Sequence, residues 1–272
     1  MDKIKLYNGV VIPQIGLGTW QIDNDHIYDS FNDAIDVNYR HFDSAQGYFN
    51  EENLGRAIKD SKVKREDLFI TTKVLDTYKS YEETKKSIEV SLEKLQTEYI
   101  DLLLIHCPAP WDYYPSDDPK WDMCNIEVWK AMVEFYKAGK VKAIGVSNFS
   151  IHDIQNLIDN SDVKPMVNQV PVYIGKTNWE LINFCKENDI VVEAYSPIAH
   201  GKILNNEVVQ SMASKYNCSI AQLCIAYVCQ IGLVAIPKTL NKSHMKSNIE
   251  IDFTINDEDL EYLKQLKLNI GW

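Results

Sequence analysis

Eight short apolar runs, spaced through the chain and separated by helical patterns, constrain the fold more than any other feature of this sequence. They are Ile15–Gly18, His41–Asp43, Leu68–Lys73, Ile100–His106, Val141–Val146, Val167–Val170, Ile190–Tyr195 and Leu233–Ile236. Several are rich in β-branched residues, which suit a buried pleated surface. Between them lie amphipathic stripes: Ile27, Phe31, Ala34 and Ile35; Ile88, Leu92 and Leu95; Ile126, Trp129, Val133 and Tyr136; Leu181, Phe184 and Cys185; Leu260, Leu263 and Leu266. Capping boxes are predicted at Ser80 with Glu83 and at Thr177 with Glu180, and Gly139 is a predicted helix stop. Alternation of strand and helix implies a parallel sheet. Even spacing over 272 residues, with no linker, predicts a single α/β domain over 1–272 closed into one (β/α)8 TIM barrel. Ahead of it, Ile4–Leu6, Asn8-Gly9 and Val10–Ile12 predict a β-hairpin that plugs the end where the strands begin. The longest irregular stretch, Cys107–Asn125, exceeds a simple connection, and such loops are usually functional.

Charge and cysteine content exclude several classes. The net charge of -11 argues against nucleic acid and anionic membrane as partners, and the brief basic cluster Lys62, Lys64 and Arg65 reads as a solvated helix end. None of the six cysteines forms a CxxC pair or stands at zinc spacing from a histidine, so reduced core thiols and no metal are expected. The opening MDKIKLYNG is too polar for a secretion signal and no apolar run approaches a membrane span, which predicts a cytoplasmic protein. Two glycosylation-like triplets, at Asn148 and Asn217, are then chance matches.

In a barrel of this kind the active face collects residues at the C-terminal ends of the strands. Those positions read Gly18-Thr19-Trp20, Asp43, Lys73, His106, Ser147-Asn148, Gln169, Tyr195-Ser196 and Lys238, with Tyr48 in the loop after Asp43. Singly they have bland explanations: Asp43 with Lys73 as a structural ion pair, His106 as a satisfied polar residue, Tyr48 as a loop aromatic, Tyr195 as a core tyrosine. Asp, Lys, His and Tyr at consecutive strand ends are harder to explain that way.

The chain resembles the aldo-keto reductase family. The motifs that carry the resemblance are GLGTW (Gly16–Trp20), FDSAQGYFNEENLG (Phe42–Gly55), TTK ending at Lys73, DLLLIHCP (Asp101–Pro108), GKVKAIGVSNF (Gly139–Phe149), NQVPVY (Asn168–Tyr173), AYSPI (Ala194–Ile198) and IPKT (Ile236–Thr239). They cover almost the whole chain in the family's order. Length and ending are most similar to short bacterial members such as the diketogluconate reductases. The resemblance implies NADPH-dependent reduction of an aldehyde or ketone by a catalytic tetrad of Asp43, Tyr48, Lys73 and His106. A phenol, with a reference pKa of about 10, is a weak acid at neutral pH. Lys73 is expected to lower that value, with Asp43 holding the ammonium and neutral His106 positioning the carbonyl.

For the cofactor, the resemblance implies Ser147, Asn148 and Gln169 at the nicotinamide carboxamide and Tyr195 stacked on the ring. It implies Lys238 and Thr239 at the adenosine 2′-phosphate, near Leu240, His244 and Asn248. Gly18, Thr19 and Trp20 are further expected contacts, and the amides of Ser196, Pro197 and Ile198 and the helix start near Asn241 are expected phosphate donors. Three departures stand out. His244 occupies a position where the family usually has arginine, which predicts weaker preference for NADPH and makes NADH possible. Cys107 replaces a common tryptophan, which predicts a wider pocket beside Tyr48, with Trp20, His106 and Trp111 as substrate contacts and Tyr113, Tyr114 and Trp121 as candidate walls. The chain ends at Trp272 without the long tail of some relatives, which predicts an open pocket and broad specificity. The expected partner is a small-molecule carbonyl and the expected state a monomer. The alternative is a cofactor-sensing, weakly catalytic subunit of a larger assembly.

Overall fold

A computed structural model of the protein describes residues 2–116, 118–268 and 270; the terminal Trp272 lies outside them. The hairpin forms from β1 (Lys3–Lys5) and β2 (Val11–Pro13), antiparallel with Ile4 opposite Ile12, and Gly9 turns it with a φ of +93°. Eight parallel strands follow: β3 (Leu17–Gly18), β4 (His41–Asp43), β5 (Phe69–Val74), β6 (Ile100–Ile105), β7 (Val141–Ser147), β8 (Val167–Pro171), β9 (Val191–Tyr195) and β10 (Val234–Ile236). Each pairs with the next in sequence order. A parallel bridge between Ile15 and Ala235, with Gly16 N donating to Ala235 O at 2.9 Å, joins the last strand to the first. A side chain at Gly18 would stand 2.8 Å from the Ile236 carbonyl oxygen, so only glycine permits this closure.

Helices cover the barrel: α1 (Ile27–Asp36), α2 (Glu51–Asp60), α3 (Tyr81–Lys94), α4 (Lys120–Lys137), α5 (Ile151–Asn160), α6 (Trp179–Glu187), α7 (Glu207–Lys215), α8 (Ile220–Gln230), α9 (Lys242–Ile249) and α10 (Asp257–Gln265). Their start signals correct two expectations. The cap of α6 is Asn178, which accepts from Leu181 N, while Thr177 bonds to Tyr227 instead. At α3, Ser80 accepts from Glu83 N, but its hydroxyl meets the Glu83 carboxylate, so the return bond to the Ser80 backbone is not made. Helix α4 also begins at Lys120, so the long loop is shorter than the sequence suggested.

Strand alternation sorts the side chains. Phe42 points outward onto Phe31 of α1, with ring centroids 4.5 Å apart, while His41 and Asp43 on either side of it point into the barrel. On β5, Thr72 points outward to Glu51 of α2 at 2.6 Å, and Thr71 and Lys73 point inward. The hairpin sits where the strands begin. Tyr7 donates to the Lys164 carbonyl, Asn8 to that of Lys142 and Gln14 to that of Leu233, each at or just ahead of the start of a barrel strand. The six cysteines are free thiols, none of them exposed. Among the described residues no helix is long and apolar enough to cross a membrane.

Candidate active site

The C-terminal ends of the strands open into a cleft of about 2270 Å³. At its floor, Lys73 is wholly buried on β5, the strand next to β4 and Asp43. Its Nζ lies 2.8 and 2.7 Å from the two Asp43 carboxylate oxygens and 2.8 Å from the Ser44 carbonyl oxygen. The remaining approach is to Tyr48 Oη, at 3.3 Å. Burial acts to lower the Lys73 pKa, but Asp43 and then Tyr48 more than offset it, so the value rises and the ammonium persists.

Tyr48 is held by a pinned loop. It ends a 3₁₀ turn over Gln46–Tyr48. The Gln46 side chain accepts from Leu75 N and donates to Ser91. Ser44 donates to Asn50 Oδ1 at 2.6 Å, and Asn50 donates in turn to the Ile22 carbonyl. The phenol departs from expectation: its pKa is raised, because burial outweighs the lowering by Lys73. Lys73 exerts the predicted influence, and burial exerts a larger one of opposite sign.

His106, at the end of β6, stands edge-on to Tyr48 with ring centroids 5.6 Å apart. Burial, then Lys73 and Lys79, hold its pKa well below the usual imidazole range, so it is neutral. Its Nδ1 is buried and meets no protein partner among the described residues. Trp111 packs edge-on against its other side at 5.6 Å.

On the opposite wall, Ser147 donates to the Gln169 carbonyl at 3.0 Å and Asn148 Nδ2 to the His106 carbonyl at 3.1 Å. Asn148 holds a left-handed φ of +63°, which asparagine tolerates better than most residues. Its Oδ1 accepts from the Tyr195 hydroxyl at 2.8 Å. Ser196 also turns left-handed, at +51°, directing the loop through Pro197 and Ile198 along the cleft. Lys238, Thr239, His244 and Asn248 line its far end.

Several expected residues stand elsewhere. Thr19 is buried with its hydroxyl on the Asp43 carbonyl, and Leu240 is exposed outside the cleft. Cys107 is fully buried and does not line the cleft, and its carbonyl takes the Lys79 ammonium at 2.7 Å. Tyr114 and Trp121 line the cleft, and Tyr113 does not. The start of α9 is already capped: Asn241 Oδ1 accepts from the amides of Ser243 and His244. Gln169 turns its amide nitrogen inward, 2.7 Å from Asp43 Oδ1 and 2.5 Å from Glu193 Oε2. Glu193 was missed, although a lone carboxylate inside the apolar run Ile190–Tyr195 was a visible signal. Phe49 and His200 at the cleft mouth were missed too, His200 packing edge-on to Trp20 at 5.3 Å. Phe49 lies within the Phe42–Gly55 motif, directly after Tyr48, whereas His200 lies in no distinctive pattern.

A parallel eight-stranded barrel with an ammonium, a phenol and an imidazole gathered at its strand ends defines a class, that of (β/α)8 oxidoreductases. The aldo/keto reductase family pattern matches residues 14–268, and the chain belongs to that family. Glyoxal reductase of Bacillus subtilis (strain 168) is 40% identical over 267 residues, covering 97% of this chain and 92% of the relative. An aldo/keto reductase of Brucella melitensis superposes with a TM-score of 0.91 at 38% identity, covering 98% of each chain. An aldo-keto reductase complexed with NADPH superposes at 0.88 and 34% identity, covering 98% of this chain and 88% of the other. The protein is thus an enzyme that reduces carbonyl compounds with a nicotinamide cofactor.

Proposed function

We propose that the protein is an NADPH-dependent reductase of small aldehydes and ketones in which Tyr48 donates the proton. The observation that carries this reading is the meeting of Tyr48 Oη and both Asp43 oxygens at Lys73 Nζ, beside a neutral His106. Bound dihydronicotinamide supplies the hydride, and negative charge builds on the carbonyl oxygen. The raised pKa keeps Tyr48 protonated before reaction, as a donor requires. As its proton moves to the carbonyl oxygen, Lys73 stabilises the phenolate left behind. Asp43 keeps Lys73 charged and aimed, and His106 orients the carbonyl as an uncharged hydrogen-bond partner.

The cleft suits the cofactor. With both N–H groups of Gln169 used internally, its Oε1 is left to meet a carboxamide. Ser147 and Asn148 would share that contact, Tyr195 would stack on the ring, and Ser196–Ile198 would follow the pyrophosphate. Lys238, Thr239 and Asn248 would hold the adenosine end. With His244 in place of a guanidinium, NADH is tolerated beside NADPH. The similarity to glyoxal reductase supports a small dicarbonyl as substrate, and Trp20, Trp111 and Tyr114 supply apolar walls. The same reading makes the chain one domain acting as a cytoplasmic monomer, with a small carbonyl compound as its partner; the net charge of -11 supports a soluble life away from nucleic acid. The test is NADPH and NADH oxidation across a carbonyl panel that includes glyoxal. Turnover with small dicarbonyls is expected; nucleotide binding with no turnover on the panel would instead identify a cofactor sensor.

A further inference from the structure

The barrel interior holds an ionisable group that this mechanism does not use. Glu193 lies on β9, in register with Gln169 of β8 and wholly buried. Its Oε2 accepts from Gln169 Nε2 at 2.5 Å. Among the described residues its Oε1 makes no aligned hydrogen bond, and His41 Nε2 stands 3.4 Å from it. The groups that face Glu193 are His41 and Asp43 from β4, Lys73 from β5, Gln169 from β8 and, farther off, Tyr48.

A proton inventory follows from these contacts. Lys73 is the cation of the set, and both oxygens of Asp43 already engage it. A second carboxylate would be a buried charge without a counterion, which proteins avoid by keeping such a group neutral. His41 does not provide the counterion: burial drives its pKa to about 3. Its Nδ1 is 3.3 Å from the Pro13 carbonyl oxygen, which can only accept. Nδ1 therefore carries the imidazole proton, and Nε2 presents a lone pair toward Glu193 Oε1. A lone pair takes a donor: the Thr71 hydroxyl stands 3.4 Å from Nε2, and Glu193, at the same distance, matches it as the carboxylic acid. Consistently, burial and then the Asp43 charge raise the Glu193 pKa, to about 8.

We propose that Glu193 is a positioning residue held as the neutral acid, with its Oε1 proton directed at His41 Nε2 and its Oε2 anchoring the amide of Gln169. In that state Gln169 is clamped between Asp43 and Glu193 with its Oε1 presented to the cleft. Among ionisable groups, Asp43 and Tyr48 are then the two that meet the Lys73 ammonium. Loss of the Glu193 proton places a second negative charge beside Lys73 and makes Tyr48 harder to ionise, a direction Glu193 already exerts on that phenol. The kinetic part of this proposal rests on Tyr48 being the proton donor; the proton assignment does not.

The experiment uses the full chain and Glu193→Gln, which keeps the shape and removes the titration. A group whose pKa is raised on folding adds stability that is complete below its unfolded value, near 4.5, and is lost as pH rises through its folded value. The urea midpoint of the wild type should therefore fall relative to that of Glu193→Gln between pH 5 and 8. Midpoints that stay parallel overturn the proton assignment. In the kinetic arm, wild-type kcat/KM should decline above pH 8, and Glu193→Gln should keep near-wild-type activity at pH 7 without that decline. An unchanged profile overturns the positioning role, as does a uniform loss at every pH. Should Glu193→Gln not fold, Glu193→Asp decides: its shorter reach withdraws the acid from His41 and should move the decline to lower pH, and an unmoved decline overturns the proposal. Absence of turnover in wild type would defeat the functional reading and leave the urea arm intact.

Discussion

The two ends of the cleft are built in opposite ways. At the floor, Lys73 is wholly buried, four oxygen atoms surround its Nζ, and Gln169 ties Asp43 to Glu193. At the far end, Lys238 and His244 are exposed, and the loop satisfies itself through Thr239 and Asn241. The mouth is similarly open, with Trp20 and Trp111 nearly half exposed and Phe49 77% exposed. The reacting end tolerates little, because each partner there would leave a buried charge or donor behind if removed. The outer ends can vary, because water replaces whatever is lost. Chemistry common to a family resides in the first region, and cofactor and substrate preference in the second.

The sharpest way to test this contrast is at the floor. Tyr48→Phe should lower kcat/KM by about 10²–10⁴, the usual range for a general acid, with NADPH affinity unchanged in a fluorescence titration. Retention of full activity would remove the proposed donor. Asp43→Ala should destabilise the fold by about 3–5 kcal/mol in urea, because it strands the Lys73 ammonium in the interior. A loss no greater than that of a surface variant would show that water reaches this pair.

Changes at the open ends should be smaller and selective. His244→Arg should shift preference toward NADPH by about tenfold, at the lower limit of a charge-assisted bond because the site is exposed. Equal gains for NADPH and NADH would show that residue 244 does not meet the 2′-phosphate. Trp111→Ala should raise KM for a small aldehyde by roughly two- to tenfold, in line with about 0.5–1.5 kcal/mol for an aromatic contact, and leave kcat largely intact. A fall in kcat alone would instead show that Trp111 acts by orienting His106.

The strands were legible because buried parallel strands are mostly apolar, and each of the eight runs matches a strand to within a residue or two. Helix starts were less so: Thr177 and Asn178 are both capping types, and the competing bond from Thr177 to Tyr227 decides between them. Asp43, Tyr48, Lys73 and His106 stood out as polar residues at the ends of apolar runs. Glu193 and His41 lie inside or at the start of such runs, where polarity reads as an interruption.

By itself the sequence determined the alternation of strands and helices, the order of strands and the residue types at their ends, since these depend on local pattern and on the short range of chain connections. Tertiary structure alone decided which ends meet. Lys73 reaches Asp43 from the neighbouring strand, and Gln169 touches Asp43 although 126 residues separate them. It also decided the balance at Tyr48. Proximity to Lys73 could be foreseen and acts as expected, but burial depends on every wall of the cleft at once, and it outweighs the ammonium.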